Sequence, residues 1–160
     1  MGAAAIQVAR RLGADVTAVV RDERQREFVL GLGAHRVVVA PTGRWDGVPE
    51  VGQVDLALEA VGQPTCLSTM CSLRNGGRLA VVGNVVPDKV PVNLGYLITH
   101  GLTVLGGSGA TRTDMARLLS LHNAAPFTIP VERRLPLDHA DEAQRTLRGG
   151  NARGRTVLIP

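Results

Sequence analysis

At 160 residues the chain is long enough for one domain with a real core, and no apolar run reaches the ~20 residues of a membrane span. No charged-then-apolar leader opens it, so the expectation is a soluble cytoplasmic protein. The net charge of +4 comes almost wholly from dispersed arginines, and with 2% aromatic residues there is no stacking platform for single strands, which argues against nucleic acid as a partner.

The first thirty-four residues organise the rest. Residues 3–12 are rich in strong helix formers, with Ala5, Ile6, Ala9 and Leu12 at helical spacing, and Gly13 stops the run. Residues 15–20 (DVTAVV) are β-branched and apolar, as in a strand covered on both faces. Asp22 can cap the next helix, and Gly33 ends it. Helix, strand, helix with tight turns implies a parallel sheet.

Residues 35–40 (HRVVVA) read as a second strand, and 41–52 as a polar loop holding the only tryptophan, Trp45. Val54 to Glu59 is a third strand. Ala60, Val61 and Gly62 turn it into a helix whose first turn suits Pro64. That helix should carry Leu67, Met70 and Leu73 inward and end at Asn75, Gly76 and Gly77. A strand follows at 78–83, a short helix at 93–100, and a strand at 102–106, bounded by Leu102 and Gly106. A helix at 113–123 places Met115, Leu118, Leu119 and His122 at spacings of three and four. From Phe127 the pattern changes to a strand-like TIPVERRLPL, a helix at 139–148 capped by Asp138, and a strand at 155–159. Strand and helix alternate at least four times, which is the pattern of an α/β domain with a doubly wound parallel sheet of Rossmann type.

Several stretches carry a family resemblance. GAAAIQVARRLGADVTAVV is similar to the first helix and second strand of the medium-chain dehydrogenase/reductase family, the zinc-type alcohol dehydrogenase and quinone oxidoreductase group. VDLALEAVGQPT, LRNGGRLAVVGNV and GRTVLIP resemble its fourth, fifth and closing strands, in the family's order. The resemblance implies the cofactor-binding half of such an enzyme. It covers neither the family's amino-terminal GroES-like substrate domain nor the first strand of its sheet. Of the glycine-rich turn only the last glycine remains, as Gly2.

By this resemblance residues 1–126 form a partial dinucleotide-binding domain, and 127–160 a tail that in the family packs on the substrate domain. The strands at 15–20 and 54–59 would lose the neighbour they share. The expectation is a piece of a longer polypeptide that starts at an internal methionine. The competing expectation is a stand-alone product in which another segment fills the gap.

The resemblance also assigns cofactor residues. Where the family's NAD enzymes carry an acid at the end of the second strand, this chain has Val20, followed by Arg21. Losing the ribose acceptor and gaining a guanidinium for a 2′-phosphate points to NADP(H) over NAD(H). A solvent-facing charge at a strand end reads the same way. Gly2 would allow close packing where the first helix meets the pyrophosphate. Ala60, Val61, Gly62, Gly83, Asn84 and Val85 would line the nicotinamide site. Arg155 matches a position that reaches the pyrophosphate in some relatives, and a surface charge is the equal alternative. The strand at 102–106 is where the family pairs with a second subunit, so a homodimer is expected.

No nucleophile or acid–base set stands out. His35, His100, His122 and His139 have no metal-ligand spacing, so zinc is not expected in this chain. Cys66 and Cys71 suit packing better than a disulfide or zinc site. Tyr96 has no lysine four residues on, and Glu59 is either functional or a plain strand-end charge. The leading reading is the NADP(H)-binding portion of an oxidoreductase that moves a hydride between NADPH and a carbonyl, enone or quinone, not competent alone. The alternatives are a non-catalytic nucleotide-binding regulatory module or an inactive remnant.

Overall fold

The computed structural model describes residues 1–46, 48, 51–86, 88–150 and 154–160. Gly47, Pro49 and Glu50 of the predicted loop lie outside them. Helix α1 (Gly2–Arg11) buries Ile6 and Gln7. Strands β1 (Thr17–Val20) and β2 (Arg36–Val39) pair in parallel, Thr17 opposite Arg36 and Val20 opposite Val39. Between them the Asp22 carboxylate accepts from the Arg24 N–H, starting a 3₁₀ turn that runs into α2 (Arg26–Gly31). Gly33, at φ +106°, ends it.

Ile6, Ala18, Val20, Val29 and Ala34 form the core beneath the two helices. Two inward expectations change here. Leu12 is 69% exposed because it caps α1 beyond its last turn. Val19 is 36% exposed, so β1 is fully covered on one face only. On the other face, Val38 of β2 and Ala40 just after it pack with Trp45 and Val51.

The second sheet has the order β3 (Val54–Glu59), β4 (Leu73–Val81), β5 (Thr103–Gly106), all parallel. Helix α3 (Gln63–Cys71) joins β3 to β4, and α4 (Leu94–His100), capped by Asn93, precedes β5. Met70, Leu73 and Leu79 are the centre of its core, each at most 3% exposed.

The structure corrects the reading of α3. The helix stops at Cys71, Leu73 belongs to β4, and 75–77 fall within that strand. Leu67 is 41% exposed, because the inward face of α3 is largely polar: Ser68, Thr69 and Ser72 are buried beside Met70. Those hydroxyls have partners. Trp45 Nε1 donates to Ser72 Oγ at 2.8 Å, and Ser68 Oγ donates to Asp46 Oδ1 at 2.8 Å, so Trp45 and Asp46 are docked at α3. Cys66 packs against the third core, but Cys71 is exposed.

Helix α5 (Arg112–Ala124) opens with a capping box between Thr111 and Asp114. It buries no residue, and Met115, Leu118 and Leu119 are 50%, 40% and 52% exposed rather than inward. Periodicity puts them on one stripe without saying what covers it.

The tail holds β6 (Val131–Pro136) parallel to β7 (Arg155–Ile159), joined by a 3₁₀ turn (Leu137–His139) and α6 (Ala140–Arg148). Asp138 lies inside that turn, and α6 begins without a side-chain cap. The start of the tail is tied to α1. The Gln7 amide donates to the Thr128 carbonyl at 2.9 Å and accepts from the Thr128 N–H at 2.8 Å. Arg11 donates to the Pro126 carbonyl at 2.6 Å, its guanidinium 3.9 Å from the centre of the Phe127 ring.

The first two sheets do not join. Among the described residues β1 pairs only with β2, and β3 only with β4. These are the strands predicted to share a neighbour. The observed order, β2-β1 and then β3-β4-β5, keeps the doubly wound sequence on either side of that break. No helix of the described residues is long and apolar enough to cross a membrane.

Candidate cofactor site

In a doubly wound sheet the carboxyl ends of the strands form the ligand crevice. Here that end carries Val20 and Arg21 after β1, Ala60 to Gly62 after β3, and Gly83 to Val85 after β4. The start of α1 belongs to it as well, since a Cβ built on Gly83 would stand 3.0 Å from Met1 Cε. At that start the N–H groups of Gly2 and Ala3 precede the first helical bond, and the first turn carries no acidic residue.

The two turns after β3 and β4 are locked together. Val61 O accepts from the N–H groups of Val85 and Val86, at 2.9 and 3.1 Å, and Glu59 O accepts from Val82 N–H at 2.8 Å. Gly62 and Val86 form an isolated parallel bridge. This closeness requires both glycines. Gly62 has φ +108° and ψ −135°, and a Cβ there would meet Asn84 Oδ1 at 2.5 Å. A Cβ on Gly83 would stand 2.6 Å from the Ala60 carbonyl oxygen.

Beneath the first turn lies Glu59, 2% exposed. Its Oε1 accepts from Val61 N–H at 2.7 Å and Gly62 N–H at 3.0 Å, and the Thr65 and Thr69 hydroxyls approach the carboxylate at 2.8 Å. Sequence reasoning left Glu59 open and passed over both threonines. Their spacing from each other, four residues on a helix that starts at the turn, is the signal that was present. Burial pushes the nearby Cys66 thiol up, with the Glu59 charge adding to the effect, which suits a packing residue and not a reactive thiolate.

The end of β1 is arranged differently. Val20 turns its side chain into the core, 9% exposed, while Arg21 is exposed. Arg21 makes no hydrogen bond or ion pair among the described residues. It faces a cavity of about 270 Å³ bordered by Arg24, Pro41, Gly149 and Gly150, and a Cβ on Gly150 would stand 3.1 Å from Arg21 Nη2. The neighbouring Asp22 carboxylate is paired with the Arg24 fork.

The structure thus brings Gly83 up to the start of α1 and sets the six turn residues side by side. It does not join Arg155 to them: that residue starts β7 in the separate tail sheet, exposed, its N–H donating to Pro130 O at 2.7 Å. His122 Nδ1 accepts from Phe127 N–H at 3.1 Å, which gives it a structural partner. Among the described residues no group of three or more His, Cys, Asp or Glu could hold a metal ion.

Comparison with known proteins agrees with this architecture. The sequence profile of the family described as "Zinc-binding dehydrogenase" matches residues 1–124. The chain is 29% identical over 161 residues to the acryloyl-coenzyme A reductase of Sulfurisphaera tokodaii, covering 100% of this chain and 48% of that protein. It is 26% identical to an alcohol dehydrogenase of Geobacillus stearothermophilus, covering 99% of this chain and 47% of the relative. The crystal structure of AibC superposes with a TM-score of 0.87 at 32% identity, over 99% of this chain and 46% of that one. The chain spans about half the length of the curated relatives it matches. With its parallel α/β sheets and ordered strand-end turns, this chain belongs to the zinc-binding dehydrogenase family and corresponds to the carboxyl-terminal half of a medium-chain dehydrogenase/reductase.

Proposed function

We propose that this chain binds NADP(H), in preference to NAD(H), as the cofactor portion of an oxidoreductase acting on a carbonyl, enone or quinone. The observation that carries the proposal is the end of β1, where Val20 is turned into the core and the Arg21 guanidinium is left unpaired among the described residues beside an open cavity. A ribose 2′-phosphate there would gain a charge-assisted contact worth roughly 1.5–3 kcal/mol. The free N–H groups at the start of α1 suit the pyrophosphate. Gly62 and Gly83 keep the second half of the crevice narrow, with Val61 and Val85 offering apolar surface to the nicotinamide. Arg155 is retained as a candidate pyrophosphate contact.

When bound, the cofactor supplies the hydride, and this chain's residues orient it. The relatives, an acryloyl-coenzyme A reductase and alcohol dehydrogenases, support an oxidoreductase role for the complete enzyme. Its substrate pocket belongs, by the resemblance, to the family's amino-terminal domain. The exposed edge of β5 supports a homodimer, since Thr103 to Gly106 pair on one side only among the described residues.

The test is a pair of titrations. NADPH should bind about ten- to a hundredfold more tightly than NADH, and Arg21→Ala should erase the difference. Equal affinities that do not change in the variant would defeat the proposal.

A further inference from the structure

We infer that Glu59 is a positioning residue for the nicotinamide half of the crevice, acting through the reach of its carboxylate and not through its charge. The inference rests on the cofactor reading above. Burying a carboxylate is unfavourable unless its oxygens are met. No salt bridge among the described residues includes Glu59. Four donors and the amino-terminal end of α3 take the place of a cation.

What those contacts fix is the direction of one peptide. Because Oε1 holds the N–H groups of Val61 and Gly62 inward, the Val61 carbonyl points the other way, where it receives Val85 and Val86. The Glu59 carbonyl receives Val82 in the same way. One residue therefore sets both turns, through its side chain for the first and its backbone for the second. Released, the Val61 peptide could rotate, and the Gly62–Asn84 contact, which a Cβ would close to 2.5 Å, would open. The adenine side, at Arg21, shares none of these bonds.

The geometry separates reach from charge. Glu59→Gln keeps an oxygen at the same distance, and its amide can donate to the Thr65 and Thr69 hydroxyls. Glu59→Asp keeps the charge but is one methylene too short for the Val61 and Gly62 N–H groups.

The experiment titrates the full chain and both variants with NADPH and with 2′-phospho-ADP-ribose, which lacks the nicotinamide. Glu59→Asp should weaken NADPH about tenfold and leave 2′-phospho-ADP-ribose unchanged, with Glu59→Gln within about threefold of the parent for both. If Glu59→Asp weakens both ligands equally, or weakens neither, the inference is overturned while the cofactor reading stands. Gln failing where Asp succeeds would make charge the operative property and overturn it too. A parent chain that binds neither ligand removes the cofactor reading and this inference with it. Should Glu59→Asp not fold, Thr65→Val tests the same carboxylate: selective weakening of NADPH supports the inference, and no change overturns it.

Discussion

The two sides of the crevice are built on opposite plans. After β3 and β4 the turns are tied to each other and to Glu59: Val61, Gly62, Val85 and Val86 all direct their N–H groups to partners inside the protein. After β1 the exposed guanidinium of Arg21 has no such partner among the described residues. A pair of turns tied in this way offers a ligand shape, set before the ligand arrives. An unpaired charge offers affinity for one feature of the ligand. Hydride transfer needs a fixed ring, while recognition of a 2′-phosphate needs only a cation within reach.

Substitutions should register this contrast in stability. The largest effect belongs to Gly62→Ala, which places a Cβ at φ +108° and against Asn84 Oδ1. The backbone conformation alone costs about 1–3 kcal/mol. Urea unfolding should show the loss, and an unchanged midpoint would mean that the turns are not locked.

Next comes the loop that spans from β2 to β3. Trp45→Phe keeps most of the apolar ring but removes the 2.8 Å bond to Ser72, a loss of about 0.5–1.5 kcal/mol. Ser72 retains its bond to the Ser68 carbonyl, so the cost should stay at the low end. A larger loss would make this loop a stronger tie between the sheets than its contacts indicate.

A smaller effect concerns acid. The Ser68 hydroxyl, and then the Arg44 guanidinium, hold the Asp46 carboxyl below its ordinary value of 3.8. A lowered folded-state pKa gives stability that is fully present above that value and lost as pH falls through the folded one. Asp46→Asn should remove a small increment of stability at neutral pH and leave the stability below the folded-state value unchanged, the effect being slight because the group is partly exposed. A loss of the same size at low and at neutral pH would contradict this. The smallest effect is Arg21→Ala, within about 0.5 kcal/mol in urea, even though it should abolish the dinucleotide preference.

Much of the fold was legible because strands announce themselves locally. β3 and β7 fall where their runs of β-branched and apolar residues begin and end, and Gly33 marks the end of α2 as a left-handed glycine should. The inward faces were less legible. Spacing groups Leu67 with Met70, and Met115 with Leu118, but only packing decides which stripe is covered. On α3 the covered stripe sets Ser68 and Thr69 beside Met70, which no apolar periodicity reveals. Glu59 was legible as a charge at a strand end, whereas its burial depends on hydroxyls six and ten residues away.

The amide of Gln7 has one more consequence. It clasps Thr128 across 121 positions of sequence, joining the first helix to the start of the last segment. Closing so long a loop earns nothing until the intervening chain is already compact. The clasp therefore forms late in refolding and opens early in unfolding. Thr128 should dock on α1 only after the body of the fold has assembled.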